Sequence, residues 1–425
     1  MSGDQSRTAS DIIQLRDSCQ LCSVFASSIE KNHVGLNASI RIHIGYFCSS
    51  EDNREMETFR LKVDEMIDTS KRMCGPLEAD QMVDLVDNRC ILELQECCSA
   101  VPSTADEYPQ VQRCLSRDMD RRFSGRFITP KANPKVFSKW VKLCSTLHGE
   151  SCGEPIFPAK FTQGLKSLLM IDVQNMCIVD APTQCRYVTL SYCWGNVTVL
   201  KHSTKNSTAL RQYGALSTLN VPATIADAIE LIREMGERYL WVDALCIIQD
   251  DPVSQKVQLS QMGLIYSLAA FTVVAASGSY ANVGLPGVRA YTRNIDQKMV
   301  RVGNQVLLTV VDGDDYYGGI KTSAWATRAW TMQEKVLSKK LLIFTDQQIY
   351  WSCWNATWLE EVALEEVFNI SFQRDPLSLG PEDEGFHSIA ESRDTLTLYR
   401  KLVNQYRHRQ LTFDSDILNA FSGIC

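Results

Sequence analysis

The segment DIIQLRDSCQLCSVFASSIE places Ile12, Leu15, Val24 and Ile29 at helical intervals, which predicts one helix with a partly buried face. SIRIHIGYF (39–47) then alternates apolar and polar as a half-buried strand does, and ETFRLKVDEM is its natural antiparallel partner. Residues 74–110 carry no pattern that assigns an element. A proline-punctuated lead ends in a short helix over 135–147, stopped near Gly149. From Lys166 the texture changes. SLLMIDVQNMCIVDA predicts two strands around a Gln-Asn turn, and CRYVTLSYCWG a strand ending in a small-residue loop. PATIADAIELIREMG has helical spacing at Ile225, Ala228, Ile229 and Ile232, with Thr224 as N-cap and Gly236 as stop. RYLWVDALCII is nearly all apolar, the mark of a strand covered on both faces. A helix over 254–268, the strand FTVVAAS, a Gly-rich insertion with a hairpin at RVGNQVLLTVV, a further helix and the strand KLLIFTDQQIYWSC follow.

Alternating strands and helices with short connections argue an α/β fold on a parallel sheet. Three regions are expected: an N-terminal α+β region over 1–165, the parallel-sheet domain over 166–355, and a helical C-terminal extension over 356–425. The 425 residues suffice for two or three cores. A net charge of −7 leaves no basic surplus to neutralise phosphates, so nucleic acid is not an expected partner. Sixteen cysteines without a secretory leader point to reduced thiols in the cytoplasm, and the most apolar stretch, 262–277, is too short to span a bilayer.

In open parallel sheets ligands sit beyond the carboxyl ends of the strands, and two unusual stretches fall there. SYCWG offers the hydroxyls of Ser191 and Tyr192, a stacking face on Trp194 and close approach at Gly195; a tight strand-to-loop transition capped by the tryptophan accounts for the same residues. Asp243, inside an apolar strand, must find donors or shift its pKa, and Arg328 is its natural partner, for binding or for bracing the fold. Trp330 and Glu334 stand four apart on one helix face, where a carboxylate beside an indole has the setting of a perturbed acid; Glu334 also reads as a solvated helix residue. Cys19 with Cys22, and Cys144, His148 and Cys152 as C-x3-H-x3-C, offer thiolate and imidazole at spacings that suit tetrahedral zinc; buried unligated cysteines fit equally. No G-x-S-x-G elbow, P-loop or dinucleotide fingerprint is present.

Three ordered blocks, YVTLSYCWG (187–195), LWVDALCIIQDD (240–251) and TRAWTMQEKVLSKKLLIFTDQQIYWSC (327–353), resemble the signatures of the fungal heterokaryon incompatibility (HET) domain. The leader motifs SCQLC and WVKLCSTLHGESC are similar to those that precede it. The resemblance implies a cytoplasmic effector of nonself recognition and programmed cell death, set off by a protein trigger from an incompatible cell. It also implies a TIR-like, flavodoxin-like core with an inserted β-hairpin. By the likeness to enzymatic TIR domains, Glu334 becomes the catalytic acid of an NADase. Ser191, Tyr192, Trp194, Gly195, Asp243, Arg328 and Trp330 then form the substrate wall. A non-enzymatic module that self-associates and recruits partners is the alternative. Family members usually continue beyond FSGI, so the resemblance implies either a fragment or a shortened gene product.

Overall fold

The computed structural model describes residues 5–14, 16, 20–31, 39–48, 57–68, 86–96, 124–153, 168–295, 297–302, 305–309, 311, 320, 322–363, 395–411 and 417–422. They divide into two compact units, one drawn from 1–128, 296–316 and 360–367, the other from 129–295, 317–359 and 368–425.

The second unit opens with α1 (Pro134–Leu147). Asn133 caps it by accepting the Lys135 N–H at 3.1 Å, and Phe137, Trp140 and Cys144 bury one face. Gly149, at φ +40°, turns the chain into α2 (Gly149–Gly153). An eight-stranded sheet follows. Strands β1 (Leu169–Asp172) and β2 (Cys177–Asp180) form the expected hairpin; its turn is held by Asp172, whose Oδ1 accepts the N–H groups of Gln174 and Asn175 at 3.0 Å. After β3 (Tyr187–Ser191), the helix α3 (Ala223–Glu234) leads to β4 (Tyr239–Trp241). A single helical turn, α4 (Asp243–Cys246), precedes α5 (Pro252–Leu268) and β5 (Thr272–Ala275). Then come a helical turn α6 (Ala324–Thr327), the helix α7 (Ala329–Leu337) and the strands β6 (Lys340–Phe344), β7 (Ile349–Cys353) and β8 (Thr357–Leu359).

In space the order is β8-β7-β6-β5-β3-β4-β1-β2. Strands β4, β3, β5 and β6 run parallel, while both flanks are antiparallel. The sheet is therefore mixed around a parallel centre. All residues of β3 and β5 are buried, as strands covered on both faces must be. The chain leaves β3 for β4 on one side and returns to β5 on the other, which opens a switch point beyond the carboxyl end of β3.

The apolar face expected of α3 is buried at Ile225, Ala228, Ile229 and Ile232, and Gly236 stops the chain at φ +85°. Thr224 is not its N-cap: that position is Pro222, and the Thr224 hydroxyl accepts the Gly284 N–H at 3.1 Å. The long apolar strand expected over 238–248 ends at Trp241, because Asp243 turns its carboxylate onto the Ala244 N–H at 2.7 Å and starts α4. KLLIFTDQQIYWSC is two antiparallel strands rather than one. The stretch 262–277 is a buried helix end running into β5; among the described residues no helix is long and apolar enough to cross a membrane.

The first unit carries an antiparallel six-stranded sheet, ordered Gln5–Thr8, Ser39–Cys48, Glu57–Asp68, Val86–Glu96, Gln305–Thr309, Met299–Val302. The two strands read from alternation pair as expected, and Val86–Glu96 arises in the stretch that sequence left unassigned. The inserted hairpin extends this sheet, pairing Gln305–Thr309 with Val86–Glu96. The single helix expected over 11–30 is two, Ala9–Gln14 and Gln20–Lys31; Leu15 lies outside the described residues.

Gly195 follows β3 at φ +68°, and a Cβ there would lie 2.3 Å from Cβ of Tyr280. The close approach that this glycine allows is by the Ser279–Tyr280 backbone. Gly195→Ala is expected to lower unfolding free energy by at least about 2 kcal/mol, combining left-handed strain with a clash; an unchanged urea midpoint would show that the loop gives way.

Candidate functional site

Three elements meet at the switch point. Ser191, the last residue of β3, is buried, and its hydroxyl donates to Oε2 of Glu334 on α7. The Ser191 Oγ in turn accepts the indole N–H of Trp325, on α6, at 2.6 Å. Ser323 caps that turn by accepting the Ala326 N–H at 3.1 Å, which fixes the entry of Trp325 into the core. Tyr266 of α5 packs beneath: its hydroxyl donates to the Leu190 carbonyl at 3.2 Å and lies near enough to the Glu334 carboxylate to lower its pKa.

A second acid borders the first. Asp243 accepts the indole N–H of Trp194 at 2.8 Å on its other carboxylate oxygen. The buried Tyr192 hydroxyl faces Asp243 without a hydrogen bond of ordinary geometry. Arg328 is half-buried and donates to the Tyr192 carbonyl at 3.3 Å, so it is not the ion-pair partner expected for Asp243. Its charge still acts on both acids.

Burial dominates their titration. Desolvation pushes Glu334 up to about 7 from 4.5; the Ser191 hydrogen bond opposes it, the negative charge of Asp243 adds to it, and Arg328 and Tyr266 lower it. Desolvation likewise raises Asp243 from 3.8 to about 6, against the Ala244 N–H, Arg328, Trp194 and Tyr192. Near neutrality the site is a poised pair of acids beside one cation, the arrangement expected where protonation serves chemistry.

The geometry thus brings Ser191, Tyr192, Trp194, Asp243, Arg328 and Glu334 together. Trp330 sits half-buried one helical turn before Glu334. Trp325 is the indole in contact with Ser191, and neither it nor Tyr266 is marked by the sequence, because their roles come from packing. The Trp194 ring, half-buried, carries Lys201 Nζ at 4.5 Å from its centroid. His202, the histidine nearest in sequence to Cys193, points Nδ1 at the Leu245 carbonyl at 2.9 Å and braces α4.

A separate cluster lies in the same unit. Cys144, His148, Cys152 and Cys353 are all buried, with donor atoms within 4.8 Å of one another, and this donor set can hold a metal ion such as zinc. Cys353 is the member that sequence spacing missed. Cys22 belongs to the other unit, on Gln20–Lys31, and Cys19 lies outside the described residues.

Residues 187–334 match the family model described as Heterokaryon incompatibility protein (HET). The chain carries a HET domain. The match runs from the first residue of β3 to Glu334, so it includes both acids and the residues around them. No curated protein and no solved structure matches the chain.

The folded HET domain holds a proton on Glu334 that the unfolded chain releases above pH 4.5. Stability is therefore expected to fall as pH rises toward 7, at up to about 1.4 kcal/mol per unit. Asp243 gives the same sign between 3.8 and about 6, so the diagnostic interval is pH 6 to 7. Glu334→Gln should flatten the decline there in denaturant titrations; an identical decline in both proteins would place the proton elsewhere.

Proposed function

We propose that this HET domain protein is an effector of heterokaryon incompatibility whose acid crevice hydrolyses the bond between nicotinamide and ribose in NAD. The observation that carries the reading is the desolvated Glu334 carboxylate, held by the Ser191 hydroxyl at the carboxyl edge of a parallel sheet. Nicotinamide leaves as a neutral base from a ring already cationic, so its departure needs no general acid. What the reaction needs is negative charge beside the oxocarbenium-like ribosyl carbon, and an ionised Glu334 supplies it in a setting of low dielectric.

The C1′–N1 bond breaks with its electron pair passing to the nicotinamide nitrogen. Water then forms the new C1′–O bond, its proton passes to Glu334 or to solvent, and the products are ADP-ribose and nicotinamide. Arg328 is the group suited to a phosphate. Trp194 and Trp330, both half-buried, are suited to stacking on the flat rings. Asp243 serves as a positioning residue, holding the Trp194 indole through its N–H. Loss of NAD links the chemistry to programmed cell death. Engagement by a protein from an incompatible cell, with self-association, is the trigger in this reading.

Purified full-length protein at high concentration is expected to release nicotinamide from NAD. Glu334→Gln should slow it by about 100-fold or more. Because the carboxylate must be ionised and its pKa is about 7, the wild-type rate should climb severalfold from pH 6 to 8 and then level. Equal nicotinamide release by both proteins, or none from either while expression still arrests cells, would discard the enzyme and favour a recruiting module.

A further inference from the structure

The Cys144, His148, Cys152, Cys353 cluster is assembled from two distant pieces of chain. Cys144 and His148 are one helical turn apart at the end of α1, and the His148 N–H closes the helix on the Cys144 carbonyl at 3.0 Å. Gly149 reverses the backbone, and the short α2 carries Cys152 back toward them. Cys353 is the last residue of β7, its N–H bonded to the Ala356 carbonyl at 2.9 Å in the turn that follows. Three buried thiols and an imidazole thus converge where apolar packing would be the default.

We propose that these four residues bind one zinc ion in a closed, structural Cys3His site. Tetrahedral zinc, with bonds of about 2.3 Å to sulfur and about 2.0 Å to nitrogen, sets its donors roughly 3.5–3.8 Å apart. The Cys353 Sγ and His148 Nδ1 are 3.3 Å apart, so small adjustments admit the ion. The His148 Nε2 is buried without a hydrogen-bond partner, while Nδ1 of the same ring faces the Cys353 sulfur. A disulfide would use two of the thiols and leave the third beside the ring unexplained.

The surroundings suit the charge. Zinc with three thiolates and a neutral imidazole carries one net negative charge. Lys339 lies between the two pieces of the site, donating to the Ser151 carbonyl at 3.1 Å and lying 4.2 Å from the Trp354 ring centroid. Trp358 packs on the imidazole with ring centroids 5.8 Å apart, shielding it from water. Four protein donors leave no open position, so the ion is not catalytic.

Its place in the fold gives it a task. Cys353 pairs with Lys340, the first residue of β6, and therefore marks the amino edge of the parallel strands, while Ser191 marks the carboxyl edge. The ion would bolt α1 and α2 to the sheet at the end opposite the acids. Binding free energy would then act as folding free energy.

The full chain purified under reducing conditions is expected to hold one zinc per molecule, with an X-ray absorption shell of three sulfurs and one nitrogen. Cys144→Ser and Cys353→Ser should lose it, whereas Cys22→Ser and Cys177→Ser should keep it. Cys177 is a buried thiol outside the cluster, so it controls for thiol loss. Chelation should lower the melting temperature of the wild type and of Cys22→Ser alike. The absorption shell of the wild type decides the matter even where a variant fails to fold. A wild-type chain without bound zinc, a shell of other composition, zinc retained by Cys353→Ser, or a disulfide within the cluster would overturn the site.

Discussion

The hydrogen bond from Ser191 to Glu334 is the constraint around which the HET domain is arranged. A carboxylate removed from water costs several kcal/mol unless donors replace its hydration. Here the donor is the Ser191 hydroxyl at the end of β3, with Tyr266 of α5 and the Arg328 charge nearby. Trp325 completes the set by spending its indole N–H on the Ser191 oxygen, which leaves the serine proton to the acid. Elements far apart in sequence are thereby held in one register.

Much of this was legible along the chain. The strand texture of CRYVTLSYCWG and FTVVAAS made β3 and β5 readable, and the helical spacing of Ile225, Ala228, Ile229 and Ile232 gave α3 its face. Where reading failed, a local polar bond had overruled the pattern. Asp243 captures the Ala244 N–H and ends β4, although the residues beyond it remain apolar. Thr224 has the chemistry of an N-cap but lends its hydroxyl to Gly284. The acids were found because their positions follow from sheet topology and helix spacing. Tyr266 and Trp325 were not, since nothing local distinguishes a core aromatic from one whose polar atom completes a site. Cys353 was missed for a related reason: the pairing of β6 with β7, rather than any spacing, brings it to Cys144.

The two clusters divide the sheet between them. At the carboxyl edge the acids sit among partly exposed Trp194, Arg328 and Trp330, with their protons poised near neutrality. At the amino edge three thiols and an imidazole are sealed beneath Trp358. In the two proposed roles, strand ends that carry chemistry need access, and strand ends that carry stability need closure. The separation lets each be built without compromising the other.

Arg328 couples the acids to whatever binds beside them. Its charge lowers both Asp243 and Glu334, while its side chain donates to the Tyr192 carbonyl. A ligand phosphate that engaged it would withdraw that support from both carboxylates at once. With Asp243 already raising Glu334, the pair would then take up a proton more readily. An ionised Glu334 in the bound state therefore requires a compensating cation. Under the proposed NAD reading, the nicotinamide ring is itself such a cation, so a ligand presenting a phosphate to Arg328 and a cationic ring to Glu334 would restore the balance that a simple anion would upset.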